Sequence, residues 1–119
     1  MEYLLLCYPK CGTCQKAKKW LGERGISYTE RNIREQNPTR EELELWVKKS
    51  GLPLKRFFNT SGTACRALKL SQRLPEMDEA RQLDLLSSDG MLVKRPILVG
   101  GDTVLVGFRE QEWERLGSF

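Results

Sequence analysis

At 119 residues the chain has the size of one domain with its own hydrophobic core, so it needs no disulfide framework to hold it. The 20 lysines and arginines and 16 acids leave a net charge of +4, but the signs are interleaved. That reads as a solvated surface and predicts neither direct nucleic-acid binding nor membrane association. Histidine is absent, which removes Cys/His nucleophile pairs and mixed Cys/His zinc sites together.

Met1-Glu2 opens into "YLLLCY", too short to span a bilayer and without a secretory leader pattern, so the expected location is cytoplasmic. Bounded by Pro9, residues 3–8 read as a strand buried on both faces. From Gly12 to about Arg24, Ala17, Trp20 and Leu21 fall at helical spacing, with Gly25 as a stop. "ISYTERNI" alternates like a second strand, and the intervening helix makes the two strands parallel. In "NPTREELELWVKKSG", Thr39 and Glu42 stand in a capping-box relation. Leu43, Trp46 and Val47 share a face, Lys48 and Lys49 suit the C-terminal end, and Gly51 closes the helix.

The middle predicts a short helix near "GTACRALKL", capped by Thr60 or Ser61 with a conformational role for Gly62. A longer helix is expected to begin at Pro75 and end before Asp89-Gly90. "RPILVGGDTVLVGF" reads as a hairpin, and "REQEWERL" as a last helix with Trp113 and Leu116 on one side. The order β-α-β, helices, β-β-α predicts an α/β fold with a mixed four-stranded sheet, in one domain over 1–119 with a helical insertion at about 38–90 between the halves.

"CYPKCGTC" places three of the four cysteines within eight positions. In a reducing compartment such clustering reads as metal-binding or catalytic rather than structural. Cys7-x3-Cys11-x2-Cys14 formally matches a three-cysteine iron-sulfur pattern, but Cys7 lies inside the apolar strand, where free cysteine packs as a small hydrophobe. A zinc ribbon needs a second Cys-x2-Cys, and only Cys65 remains, itself read as a packed or half-exposed thiol. No metal is expected. Redox chemistry needs two sulfurs. Cys11 opens the first helix, where unpaired N–H groups and the helix dipole favour a thiolate, with Lys10, Lys16, Lys18 and Lys19 adding positive charge. Cys14, one turn on, reaches Cys11 as the resolving thiol, while small Gly12 and Thr13 leave room for a substrate.

"YPKCGTCQKAKKWLGERGISYTERNI", "PTREELELWVKKSG", "MLVKRPILV" and "VLVGF", in this order over nearly the whole chain, resemble the family of glutaredoxin-dependent arsenate reductases and Spx-type bacterial regulators. The resemblance implies a thioredoxin-like fold with a helical insertion. It implies that Pro96 is cis and faces the active-site cysteine, with Arg95 beside Cys11 as thiolate or anion partner. Lys94 reads equally as electrostatic reinforcement of Arg95 and as a solvated surface residue. The resemblance also implies glutathione, glutaredoxin or thioredoxin as reductant, with no bound cofactor. The family's reductases cradle arsenate with three arginines. Here only Arg95 matches, Asn59 and Phe108 stand at the other two positions, and Arg56 and Arg109 are neighbours in sequence, so efficient arsenate reduction is not predicted. The Spx-type regulators share the paired Cys-x2-Cys and imply an alternative partner, the C-terminal domain of the RNA polymerase α subunit, bound near Ser50-Gly51. This chain lacks their basic tail, and Pro53 follows Gly51.

Overall fold

Strand β1 (Tyr3–Cys7) occupies the middle of the sheet, which is why its sequence is apolar without alternation. The computed structural model describes residues 3–59, 62, 66–101 and 103–114. On one edge of β1 lies β2 (Tyr28–Asn32), parallel, with Tyr3 opposite Tyr28 and Cys7 opposite Asn32. On the other lies β3 (Ile97–Gly100), antiparallel, with Leu4 opposite Val99 and Leu6 opposite Ile97. Strand β4 (Thr103–Val106) completes the order β2-β1-β3-β4 as the hairpin partner of β3. This is the mixed four-stranded sheet of a thioredoxin-like fold.

The two faces of the sheet carry separate cores. On one, Tyr3, Leu5 and Cys7 meet Cys14, Ala17, Trp20 and Leu21 of α1 (Gly12–Glu23), together with Leu98 and Trp113. Helix α1 stops because Gly25 takes a left-handed conformation (φ +67°), letting the Ile26 N–H return to the Leu21 carbonyl at 3.0 Å. On the other face, Leu6, Ile97, Val104 and Val106 are covered by α2 (Arg40–Ser50), α3 (Leu70–Arg73), α4 (Glu79–Ser88) and the 3₁₀ turns Leu54–Phe57, Leu74–Glu76 and Gly90–Leu92. A short α5 (Glu110–Trp113) returns Trp113 to the first core, its indole N–H donating to the Gly107 carbonyl at 3.0 Å.

Helix α2 carries the capping box its sequence announces, and Gly51 is left-handed (φ +69°) at its end. Glu42 has a second task. Both its carboxylate oxygens accept from the Arg31 guanidinium, at 2.8 and 2.9 Å, tying the end of β2 to the first turn of α2.

The long middle helix differs from expectation. Pro75 lies in the 3₁₀ turn Leu74–Glu76, Met77 is extended, and α4 begins at Glu79 because the Asp78 side chain accepts the Arg81 N–H at 2.8 Å. A side-chain cap defines a helix start more strongly than a proline that merely tolerates one. Strand β2 is also shorter than residues 26–33. Gly62 has a spatial role: a Cβ there would come 2.6 Å from the Asn59 amide nitrogen. The expected caps Thr60 and Ser61, together with Cys65 and Leu116, lie outside the described residues.

Gly90 packs so closely on the chain after β2 that a Cβ would collide with the Ile33 carbonyl oxygen. Gly90→Ala should therefore cost about 2 kcal/mol, read as a lower urea midpoint with unchanged slope. Arg31, first, holds the Glu42 carboxyl below the usual glutamate range, against burial. A lowered carboxylate pKa contributes stability above the ordinary glutamate range that is lost as pH falls through the lowered value. Glu42→Gln should lower stability at neutral pH by on the order of 1 kcal/mol and flatten its acid dependence, measured by denaturation at neutral and acid pH.

Candidate active site

The antiparallel register brings three segments to one end of the sheet. Because Leu6 pairs with Ile97 and Ile97 with Val106, the loop leaving β1, the chain entering β3 and the chain leaving β4 all emerge there. They carry Cys11, Arg95-Pro96 and Gly107-Phe108-Arg109 respectively.

Cys11 is the N-cap of α1, extended at φ −90° and ψ 118°, and partly exposed. Its backbone N–H donates to the Tyr8 carbonyl at 2.9 Å, and its carbonyl accepts the Gln15 N–H at 3.2 Å. Its side chain makes no capping bond. The loop is thus fixed by backbone bonds and by the Gln15 side-chain amide donating to the Pro9 carbonyl at 2.9 Å, and the Cys11 thiol takes no part in capping the helix. Gly12 and Thr13 follow in the exposed first turn, where helical N–H groups lack intrahelical acceptors.

Cys14 is fully buried behind Cys11, and its sulfur accepts the Tyr8 N–H at 3.4 Å. It also touches two other thiols. Its hydrogen bond with Cys7, and then burial, push the Cys14 thiol well above the ordinary range, while the Tyr8 N–H and Cys11 act the other way. The same Cys14 bond pulls the Cys7 thiol down, helped by Lys18 and opposed by burial and Glu30. Cys7 is buried in the core as expected of a small hydrophobe, in the same cluster as Cys14. All three thiols are free, and among the described residues no group of acids and cysteines is arranged to hold a metal.

The lysines around the motif do not act as one cluster. Lys18 pairs with Glu30 at 2.9 Å, whereas Lys16 and Lys19 line a different hollow with Trp20, Glu23 and Arg24, because successive helical residues turn to different faces.

The Arg95-Pro96 peptide is cis, and Pro96 is buried. The Arg95 guanidinium carbon lies 5.6 Å over the Tyr8 ring, and one terminal nitrogen is 3.5 Å from the Met91 carbonyl oxygen. Its buried Nε has no hydrogen-bond partner among the described residues. Arg95 is therefore anchored on the loop leading to Cys11, and no hydrogen bond joins it to Cys11 itself. Beside it opens a basic hollow of about 380 Å³, lined by Thr13, Lys55, Arg56, Lys94, Phe108 and Arg109 among others. None of its described lining is acidic, and Lys55, Arg56, Lys94 and Arg109 have no ion-pair partner among the described residues. Phe108 turns its ring edge to Trp20 and Trp113, at centroid distances of 6.3 and 5.0 Å. Lys55 and the Cys7–Cys14 contact escape sequence reasoning, since both depend on how distant segments pack.

Fold and site define a thioredoxin-like protein with a cysteine pair at the start of its first helix. The chain belongs to the ArsC family, whose sequence model matches residues 6–116. It is 56% identical to YusI of Bacillus subtilis over 114 residues, covering 96% of this chain and 97% of that protein. It is also 31% identical to the regulatory protein MgsR of the same organism, covering 93% and 86%. A solved ArsC family related protein from Bacteroides fragilis superposes with a TM-score of 0.95 at 57% identity, covering 98% of each chain. Among the described residues no helix is long and apolar enough to cross a membrane.

The exposure pattern predicts selective alkylation. In the native protein iodoacetamide should modify Cys11 while Cys7 and Cys14, each 0% exposed, stay protected until denaturant is added, as read by peptide mass spectrometry.

Proposed function

We propose that the protein is a thiol-disulfide oxidoreductase in which Cys11 is the nucleophile and Cys14 the resolving thiol. The observation that carries this reading is the partly exposed Cys11 at a helix N-terminus, its side chain making no capping bond, with buried Cys14 one turn on against the same core. Cys11 attacks a substrate disulfide and forms a mixed disulfide. Cys14 then attacks Cys11, releasing the second thiolate and leaving a Cys11–Cys14 disulfide for glutathione, glutaredoxin or thioredoxin to reduce. Gly12 and Thr13 give steric access and N–H donors, and Arg95-Pro96, on the chain entering β3 at the same end of the sheet, completes the site in this reading.

The basic hollow supports an anionic substrate or reductant, such as a thiol carrying carboxylates, since four cations held together without acidic partners repel one another until an anion arrives. It is a broad basin rather than a three-arginine clamp, so arsenate should bind weakly and turn over slowly.

Trapping under mild oxidant followed by mass spectrometry should yield a Cys11–Cys14 disulfide, and a dominant crosslink to Cys65 would overturn the assignment. Arg95→Ala should slow the reaction of Cys11 with an anionic disulfide about threefold more than with a neutral one, as expected for one partly exposed charge. Equal effects on both would make Arg95 structural.

A second reading, a redox-sensing transcriptional regulator, is favoured by the similarity to MgsR along nearly the whole chain. It calls for the RNA polymerase α C-terminal domain as partner. Gly51, at the position in question, already has a backbone reason to be glycine. Redox-dependent capture of that purified domain would establish the second reading, and absence of binding in either redox state would remove it.

A further inference from the structure

On α1, Thr13, Lys16, Trp20 and Glu23 recur at three- and four-residue intervals, so their side chains form one row leading away from Cys11. The row borders two hollows in succession. Thr13, two residues after Cys11, lines the basic hollow, and Lys16, Trp20 and Glu23 line the second, of about 290 Å³. Phe108 lines both. It is a half-buried ring on a fixed support. The Gly107 N–H donates to the Pro96 carbonyl at 2.8 Å, the Gly107 carbonyl accepts the Trp113 indole N–H, and the ring meets Trp20 and Trp113 edge to face. The two hollows differ in charge. The first holds four cations and no acid in its described lining, whereas in the second Lys16, Lys19 and Arg24 stand with Glu23 and Glu110. Lys16 and Lys19 are exposed and have no ion-pair partner among the described residues.

From Thr13 to Glu23 the row is about 15 Å long at the helical rise. An extended chain covers that distance in about five residues. A small thiol would fill the first hollow and leave Lys16, Lys19 and the far side of Phe108 without a role, and a phosphate backbone would set its charges against Glu23 and Glu110. A polypeptide can change its charge from one residue to the next. We propose that the two hollows form one groove for an extended segment of a protein disulfide substrate. The segment carries acidic residues next to its reacting cysteine, an apolar side chain over Phe108, and mixed charge along Lys16 and Lys19. The inference rests on the thiol-disulfide reading above and names its substrate class. Charge complementarity steers the segment into register, and Phe108, already held in place, offers an apolar anchor that loses little freedom on binding.

The test uses the full chain with Cys65→Ser in stopped flow. Its substrates are mixed disulfides of thionitrobenzoate, whose release reports attack by Cys11, with the end-blocked peptide Cys-Asp-Glu-Leu-Glu-Lys, its reordered form Cys-Lys-Glu-Leu-Glu-Asp, and glutathione. The first peptide should react about fivefold faster than the reordered one, although the two share composition and net charge. Lys16→Ala with Lys19→Ala, and separately Phe108→Ala, should each lower the ratio of first-peptide to glutathione rates about fivefold, and added salt should shrink that ratio in the parent. The exposed lysine pair reports even where Phe108→Ala destabilises the fold. If residue order made no difference, or if the lysine variant kept the parent's ratio, the groove would be wrong while thionitrobenzoate release still upheld the thiol-disulfide reading. A single-stranded oligonucleotide that displaced the first peptide at lower concentration than a copy with serine for cysteine would assign the surface to nucleic acid and overturn the proposal. If no substrate released thionitrobenzoate, the thiol-disulfide reading itself would fail, and the substrate class with it.

Discussion

Three residue pairs, Leu4 with Val99, Leu5 with Leu98 and Leu6 with Ile97, hold the two halves of the molecule together, and the rest of the architecture depends on them. They join strands separated by most of the chain. The entropy of closing that loop is recovered only when the apolar faces of β1 and β3 are covered on both sides. Because the pairing is antiparallel, it also decides what shares an end of the sheet. A parallel arrangement would send Arg95-Pro96 to the edge opposite Cys11. A one-residue slip would turn Leu98 out of the α1 core and expose the wall behind Cys14.

The site that results divides its labour by burial. Cys11, partly exposed, is held through its backbone and caps nothing with its side chain, while Cys14 is fully buried and its sulfur accepts the Tyr8 N–H. Placing polarisable sulfurs in an apolar core costs less than burying oxygen or nitrogen groups there, so the interior tolerates Cys7 and Cys14 together where it would resist a carboxylate pair. The Lys18–Glu30 ion pair stays partly exposed, where solvent screens it.

What the sequence reveals is governed by distance along the chain. Helix α2 is written in full because its cap, its apolar stripe and its terminal glycine are all local signals, and the structure places each where it was read. The start of α4 is misread because Pro75 and Asp78 are both credible openers, and only the formed turn shows which one supplies an acceptor. Lys16, Lys18 and Lys19 look like one charge cluster when counted along the chain but separate once the helix rotates them. Cys7 is correctly placed in the core, yet its partner is invisible without knowing how α1 sits on β1. The basic hollow is assembled from Thr13, the turn at Lys55-Arg56, Lys94 and Arg109, and no window of sequence contains them together.

The aromatic contacts carry a consequence of a different kind. Trp20 on α1, Phe108 at the rim of the hollow and Trp113 on α5 stack edge to face, and the Trp113 indole grips the carbonyl of Gly107 in the lining of that hollow. The remaining tryptophan, Trp46, belongs to the opposite core. Indole emission depends on local polarity and on nearby quenchers, and two of the three indoles stand in the shell that connects the cysteine helix to the hollow. The molecule therefore contains its own unlabelled optical probe: occupancy of the hollow and rearrangement around the sulfurs would register in Trp20 and Trp113, while Trp46, which lines neither the hollow nor the cysteine core, provides a reference signal.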